Sequence, residues 1–443
     1  MPVTEPRAMS ATRSPSSTLS NLPSLPQTEQ AGPQAPGPRS RVLWFSCVAH
    51  ALHDGYTDMI YVLLPMWQAE FGLSYGALAL LRGIYGGTMA SLQLPAGWLA
   101  QRFGHKAVLA SGTLLAAIGY AAAGASGSLV GLCLALALSG SGSSTQHPLA
   151  SGAVSRAYGQ DARHARNALG IYNFSGDLGK AALPAAVSLL VAFMPWRHAL
   201  WVIAALGCVV AAALALWMPS IAHSNAPAKE PASGQDRKRR GTSGTSGTSG
   251  TGNNARTGFN LLFAIGVLDT AVRMGLLTFL PFLLTAKGAS TPVIGTALAL
   301  VFIGGAAGKF ACGWLGARVG VIGTVLATEG CTAVLIVAVM LCPLTPALML
   351  LPLLGVMLNG TSSVLYGTVP ELAPADHTGM GTEKAFALFY TGTIGAGAIA
   401  PVIYGFLGDH IGVQGATLAA ALTALAIYPL AIALRGHLVP GKP

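Results

Sequence analysis

Apolar residues fill every face of the long segments of this chain instead of one stripe, the pattern of helices surrounded by lipid. Twelve such segments can be read. In the first half they lie near 42–70, 74–100, 106–125, 128–150, 168–193 and 198–218. In the second half they lie near 259–286, 291–315, 320–342, 345–369, 382–407 and 412–434. A helix rises about 1.5 Å per residue, so about 20 residues cross the hydrocarbon core and each segment is long enough. Residues 1–40 are rich in Ser, Pro and Gln without apolar period, which predicts a disordered tail. Residues 219–258 carry Arg237-Lys-Arg-Arg240 and a Thr-Ser-Gly repeat, the composition of a flexible basic linker. The expected organisation is a six-helix unit over 41–218, the linker, a second six-helix unit over 259–436, and a short tail over 437–443.

The two units repeat. Gly97-Trp-Leu-Ala-Gln-Arg-Phe-Gly104 closes the second segment, and Gly313-Trp-Leu-Gly-Ala-Arg-Val-Gly320 closes the eighth, 216 residues on. Asp54 and Asp269 are 215 residues apart, and Pro184 and Pro401 are 217 apart. Three landmarks at one offset imply duplication, the parallel repeat of a two-bundle transporter.

Composition agrees with the pattern. Hydrophobic residues make up 52% and charged residues 9%, against roughly 25% charged in soluble domains. The net charge of +10 does not imply nucleic acid, because the basic residues sit in loops beside the spans. Arg102, Lys106, Arg156, Arg163, Arg166 and Arg318 gather on the side of the termini, while the opposite side holds only Arg197 and Lys287. The positive-inside rule therefore puts both termini in the cytoplasm, in a multi-pass plasma-membrane protein of a bacterial inner membrane. The six cysteines show no zinc or redox spacing and are expected to be small lipid- or core-facing residues.

Charged side chains inside lipid need a partner, a proton or water, because each costs roughly 2.5–3.5 kcal/mol at the bilayer centre. Asp54 and Asp58 lie one turn apart on a single helical face. Arg82 has no acid within reach on its own span, so Asp54 or Asp58 on the neighbouring helix is its expected partner. This face, with His53, is the candidate proton-coupling group. Asp177 and Lys180 are three apart, and Asp269 and Arg273 four apart, so each pair is expected to meet on its own helix. With His147, Tyr172 and Asn173, these four are candidates for the substrate cavity. His50, at the edge of its span, reads as a packing residue. Lys309 is expected to snorkel toward a helix end. The histidine spacing is a weak pattern for metal, and no metal ion or cofactor is expected.

The six-plus-six plan with its G-x-L-x-x-R-x-G loops resembles the major facilitator superfamily. Three stretches are similar to its fosmidomycin-resistance group of efflux proteins. They are His53-Asp54-Gly55-Tyr56-Thr57-Asp58 with Leu64-Pro65, Gln93-Leu94-Pro95-Ala96-Gly97, and Gln146-His147-Pro148. The resemblance implies an all-α membrane fold of twelve transmembrane helices in two pseudo-symmetric six-helix bundles. It makes Gly97, Arg102, Gly104, Gly313, Arg318 and Gly320 the gating loops. The superfamily's loop acid is replaced by Gln101 and Ala317, so the clamp it normally makes between bundles must be supplied otherwise. Gly176-Asp-Leu-Gly-Lys180 stands where an antiporter Gly-Pro signature is expected.

The expected function is secondary active transport by alternating access, as proton-coupled efflux of a small organic solute, anionic or drug-like. Proton-coupled uptake of an organic acid is the alternative, since alternating access is reversible. Outside transport, a receptor or scaffold on the same fold is the competing class. No G-x-x-x-x-G-K-[ST] and no nucleophile–base spacing occurs, so an enzyme is not expected. The partners expected are the solute, protons and the bilayer, around a monomer.

Overall fold

Every element among the described residues is helical. The computed structural model describes residues 37–159, 162–220, 249–372 and 382–438. Of the expected tail over 1–40 and linker over 219–258, residues 1–36 and 221–248 lie outside the described residues, as do those from 439, while Pro38–Ser40 open α1 and Ser249–Gly258 open α9 as helix. The first half consists of α1 Pro38–Phe71, α2 Tyr75–Ser91, α3 Gln93–Phe103, α4 His105–Ala125, α5 Leu129–Ser143, α6 Gln146–Tyr158, α7 Ala162–Phe193 and α8 Trp196–Trp217. The second consists of α9 Ser249–Ala286, α10 Thr291–Leu341, α11 Leu344–Leu372 and α12 Thr382–Leu434.

All twelve expected spans are present, with corners and breaks that have local causes. α2 and α3 form the second span, broken at Leu92, and α5 and α6 form the fourth, broken at Ser144 and Thr145. Pro95 and Pro148 are each the third residue of the restarted helix, where a missing amide costs nothing. α10 and α12 each hold two spans, joined at Gly320 (φ 80°) and Gly412 (φ 74°). The duplication is visible in the corners as well as in the motifs. Gly72 and Gly104 have positive φ, as do Gly288 and Gly320, 216 residues further on in each case. Such backbone favours glycine, which lacks the clashing Cβ.

The halves meet along two seams, α2 against α12 and α7 against α10. At one end these seams are closed. Asp409 of α12 caps the first turn of α2, accepting from the Tyr75 amide at 2.6 Å and the Gly76 amide at 3.1 Å. The Tyr75 ring packs against Phe279 and Phe282 of α9, with centroids 5.7 and 5.2 Å away. At the other end the loop-side aromatic and apolar residues are exposed. Leu94 of α3 is 88% exposed, and Trp98, Phe103 and Trp314 are exposed with it. The gating-loop candidates sit here within their own halves: Arg102 lies over Phe103 and Arg318 over Trp314, and a Cβ at Gly97, Gly104, Gly313 or Gly320 would meet nothing.

A further link crosses the α7–α10 seam, where Lys309 Nζ donates to both Asp177 oxygens at 2.7 Å. Lys309 therefore does not snorkel; a carboxylate on the neighbouring half satisfies it at its own depth. Its side chain is 39% exposed, so the pair contributes on the order of 1 kcal/mol. Lys309→Met leaves Asp177 without a counter-charge and is expected to lower the melting temperature in detergent by a few degrees. The double change Asp177→Asn/Lys309→Met should recover most of that loss, which a melting series checks.

Candidate functional site

Between the halves lies a cavity with about 1030 Å³ of empty space, its open mouth included. Asp54, Thr57, Asp58 and Arg82 line it from α1 and α2, and His147 and Lys180 from α6 and α7. Asp269, Thr270 and Arg273 of α9, Ser362 and Tyr366 of α11, and Tyr390 and Thr393 of α12 complete the polar wall.

In the first half the charges converge on Asp54. Lys180 Nζ and His50 Nε2 each lie 3.3 Å from Asp54 Oδ2, and His147 Nε2 lies 3.5 Å from Oδ1. His50 is oriented from behind: its Nδ1 bonds the Tyr172 carbonyl at 2.8 Å, and its ring stacks on Tyr172 at 4.1 Å. The approach of α7 to α1 depends on Gly176, where a Cβ would stand 2.6 Å from both Asp54 Oδ2 and His50 Nε2. The ligand atoms of His50, Asp54 and His147 lie within 4.8 Å of one another, a spacing a metal ion needs. Lys180 already presents a positive charge to the same oxygen as His50, so the four side chains form a neutralised charge cluster without one.

Arg82 behaves differently. Its Nε donates to the Tyr61 hydroxyl at 2.9 Å and its guanidinium lies over the Tyr61 ring. It shares the cavity wall with Asp54 and Asp58, but among the described residues no carboxylate comes within ion-pair distance of it. The expected direct Arg82–Asp pair is therefore replaced by a neutral phenol. Tyr61, by donating toward the Met274 sulfur of α9 at 3.5 Å, also touches the other half.

In the second half Arg273 lies 3.9 Å from Asp269, as its spacing predicts. It also donates to Asn359 Oδ1 at 3.3 Å, Ser362 Oγ at 3.5 Å and Thr270 Oγ1 at 3.4 Å. Glu329 of α10, also buried, lies near Asp269 behind the wall.

Four expected site residues stand elsewhere. Asp177 does not meet Lys180: the two diverge around α7, one to Lys309 across the α7–α10 seam and the other to Asp54. His53 is held inside the first half by Ser143 and Thr113, both at 3.0 Å, and does not line the cavity. Tyr172 supports His50 and accepts from Gln146 through its hydroxyl, and Asn173 is exposed outside the cavity lining. Conversely, His50 and Glu329 belong to the site without having been expected there. A lone acid in the apolar run 320–342 was the available signal for Glu329.

The comparisons with known proteins agree with this architecture. Residues 46–383 match the Major Facilitator Superfamily, and the chain belongs to it. It is a membrane transporter and not an enzyme, carrying small molecules across the bilayer by secondary transport. It is 28% identical over 420 residues to a probable sulfoacetate transporter of Cupriavidus necator, covering 88% of this chain and 94% of that protein. It is 25% identical over 172 residues to a fosmidomycin resistance protein of Escherichia coli, covering 38% of this chain and 42% of that one. Among solved structures, a bacterial homolog of the human lysosomal transporter Spinster, inward-facing and occupied, matches with TM-score 0.72 at 16% identity, covering 92% of this chain and all of that one. The nucleoside transporter NupG matches with TM-score 0.69 at 14% identity, over 90% of this chain and 100% of that one.

Proposed function

Taking membership of that superfamily as the premise, we propose that this protein carries a small organic anion across the inner membrane, coupled to protons. The observation that carries the reading is Arg82, a buried guanidinium on the cavity wall whose bonding partner is a neutral tyrosine. Lys180 and Arg273 each face a carboxylate, so a cation left over for an anionic solute is supplied by Arg82. The long likeness to a probable sulfoacetate transporter supports a solute bearing sulfonate or carboxylate groups. Efflux of a drug-like solute is the second reading, supported by the likeness to a fosmidomycin resistance protein over 172 residues. In either case the positive-inside rule supports a reading with the open end of the cavity toward the cytoplasm and the Asp409–Tyr75 end outside, an inward-facing arrangement.

Reconstitution into vesicles tests this. Under a proton gradient the protein should move sulfoacetate or a related anion from a panel that includes fosmidomycin. Arg82→Gln removes a charge-assisted contact worth about 1.5–3 kcal/mol, so the KM for the anion should rise roughly 10- to 100-fold. Movement of none of the panel under any gradient would favour the receptor or scaffold class, and an unchanged KM in Arg82→Gln would remove Arg82 from the binding site.

A further inference from the structure

The hydrogen bond behind His50 fixes what its other nitrogen presents. A carbonyl oxygen only accepts, so the 2.8 Å contact with the Tyr172 carbonyl puts a hydrogen on His50 Nδ1. In the neutral ring the Nε2 lone pair then points at Asp54 Oδ2, 3.3 Å away, which also only accepts. Two acceptors held face to face leave a place for a cation between them. An imidazole anchored through one nitrogen to a backbone carbonyl is also how a metal-binding histidine is oriented.

A third donor arrives from another helix. In the sequence the near neighbour of His50 is His53, but α6 restarts at Gln146 and brings His147 to Asp54 instead, its Nε2 3.5 Å from Oδ1. His50, Asp54 and His147 are the one group of three such side chains among the described residues whose donor atoms all lie within 4.8 Å of one another. In a tetrahedron with bonds of about 2.0–2.1 Å, neighbouring donors stand about 3.3–3.4 Å apart. The two histidine–carboxylate separations are already close to that edge. Gly176 keeps the space beside the donors clear, since a Cβ there would crowd both Asp54 Oδ2 and His50 Nε2. His147 is partly exposed and lines the cavity, which gives an ion a path from water and leaves a fourth position free for a water ligand.

We propose that His50, Asp54 and His147 bind one divalent transition-metal ion of the zinc class, taken from the cavity in exchange for the Lys180 ammonium. Two neutral imidazoles, one carboxylate and water form a donor set suited to zinc. Lys180 Nζ, 3.3 Å from Asp54 Oδ2, is the cation the carboxylate holds in the ion's place. Its side chain is partly exposed and turns into the cavity as the ion enters, so metal and ammonium compete for one carboxylate. The site does not depend on which solute is carried.

Tag-free, full-length protein stripped with a chelator provides the test, with Zn²⁺ and Co²⁺ as probes. Calorimetry should find one Zn²⁺ per chain. Lys180→Met removes the competing ammonium, so its affinity for Zn²⁺ should rise at least about tenfold. His50→Ala and His147→Ala each lose a ligand, so their affinity should fall at least about tenfold, with melting curves confirming that they fold. Co²⁺ bound to wild-type protein should show the visible bands of a four-coordinate nitrogen–oxygen site, a reading that needs no variant. A near-ultraviolet thiolate band would place the ion on a cysteine and overturn the assignment. Equal Zn²⁺ affinity in His147→Ala also overturns it, as does Lys180→Met that binds Zn²⁺ no more tightly than wild type.

Discussion

Asp54→Asn is expected to lower gradient-driven transport by at least about 100-fold while leaving folded protein in the membrane. In the open arrangement, water in the cavity partly compensates the stranded Lys180, whose side chain is 32% exposed. The cycle, however, requires the cavity to close and exclude that water. An ammonium sealed in without Asp54 then meets most of the roughly 3–5 kcal/mol that breaking a buried pair costs. That penalty falls on the occluded state alone, so it slows turnover more than it lowers the melting temperature. Asp54→Asn/Lys180→Met removes the stranded charge and should restore stability without restoring coupling. Vesicle transport alongside melting curves checks both statements, and full transport by Asp54→Asn would refute a coupling role for this cluster.

The second large effect is conformational. At the closed end Gly405 of α12 crosses Gly76 of α2 so closely that a Cβ on Gly405 would stand 2.8 Å from the Gly76 Cα and the Tyr75 carbonyl oxygen. A larger residue cannot be absorbed there by a rotamer change, because both obstacles are backbone. Gly405→Val is thus an overpacking change worth about 1–3 kcal/mol, acting only while this end is shut, and shifts the population toward the opposite state roughly 5- to 100-fold. A cysteine introduced at Thr57, on the cavity wall, reports the shift. An impermeant thiol reagent added from outside should label it faster in the Gly405→Val background, and equal labelling rates would show that this crossing does not set the gate. At this end Asp409 on the α2 amides clamps the two halves together.

The spans, their duplication and the cavity-facing charges Asp54, Asp58, Arg82, Lys180 and Arg273 were legible in the sequence, because apolar residues on all faces and ionisable groups within them are rare outside membranes. Pairing was less legible. Asp177 and Lys180 are three residues apart, so at 3.6 residues per turn they point about 60° apart around α7. That divergence is enough for one to reach α10 and the other α1, and a partner on another helix outcompetes a neighbour on the same one. Arg82 was matched to the nearest acids in sequence, whereas Tyr61 lies on the same face of α1 and approaches more closely. His50 was placed at the edge of a span that begins at Pro38, leaving the histidine about three turns inside. Glu329 has no charged residue within one turn on its own helix, and its meaning emerges only when α9 lies beside α10.

The duplication carries one more consequence. Positions 216 residues apart that ought to mirror each other hold unlike groups: Thr113 against Glu329, Ser143 against Asn359, and Gln146 against Ser362. Lys180 and two imidazoles surround the acid of the first half, while a second acid and an arginine surround that of the other. A chamber built from twin parts has become handed in its chemistry. A cargo with two dissimilar ends, such as a sulfonate at one and a carboxylate at the other, would fit into it head-first in one orientation and not reversed.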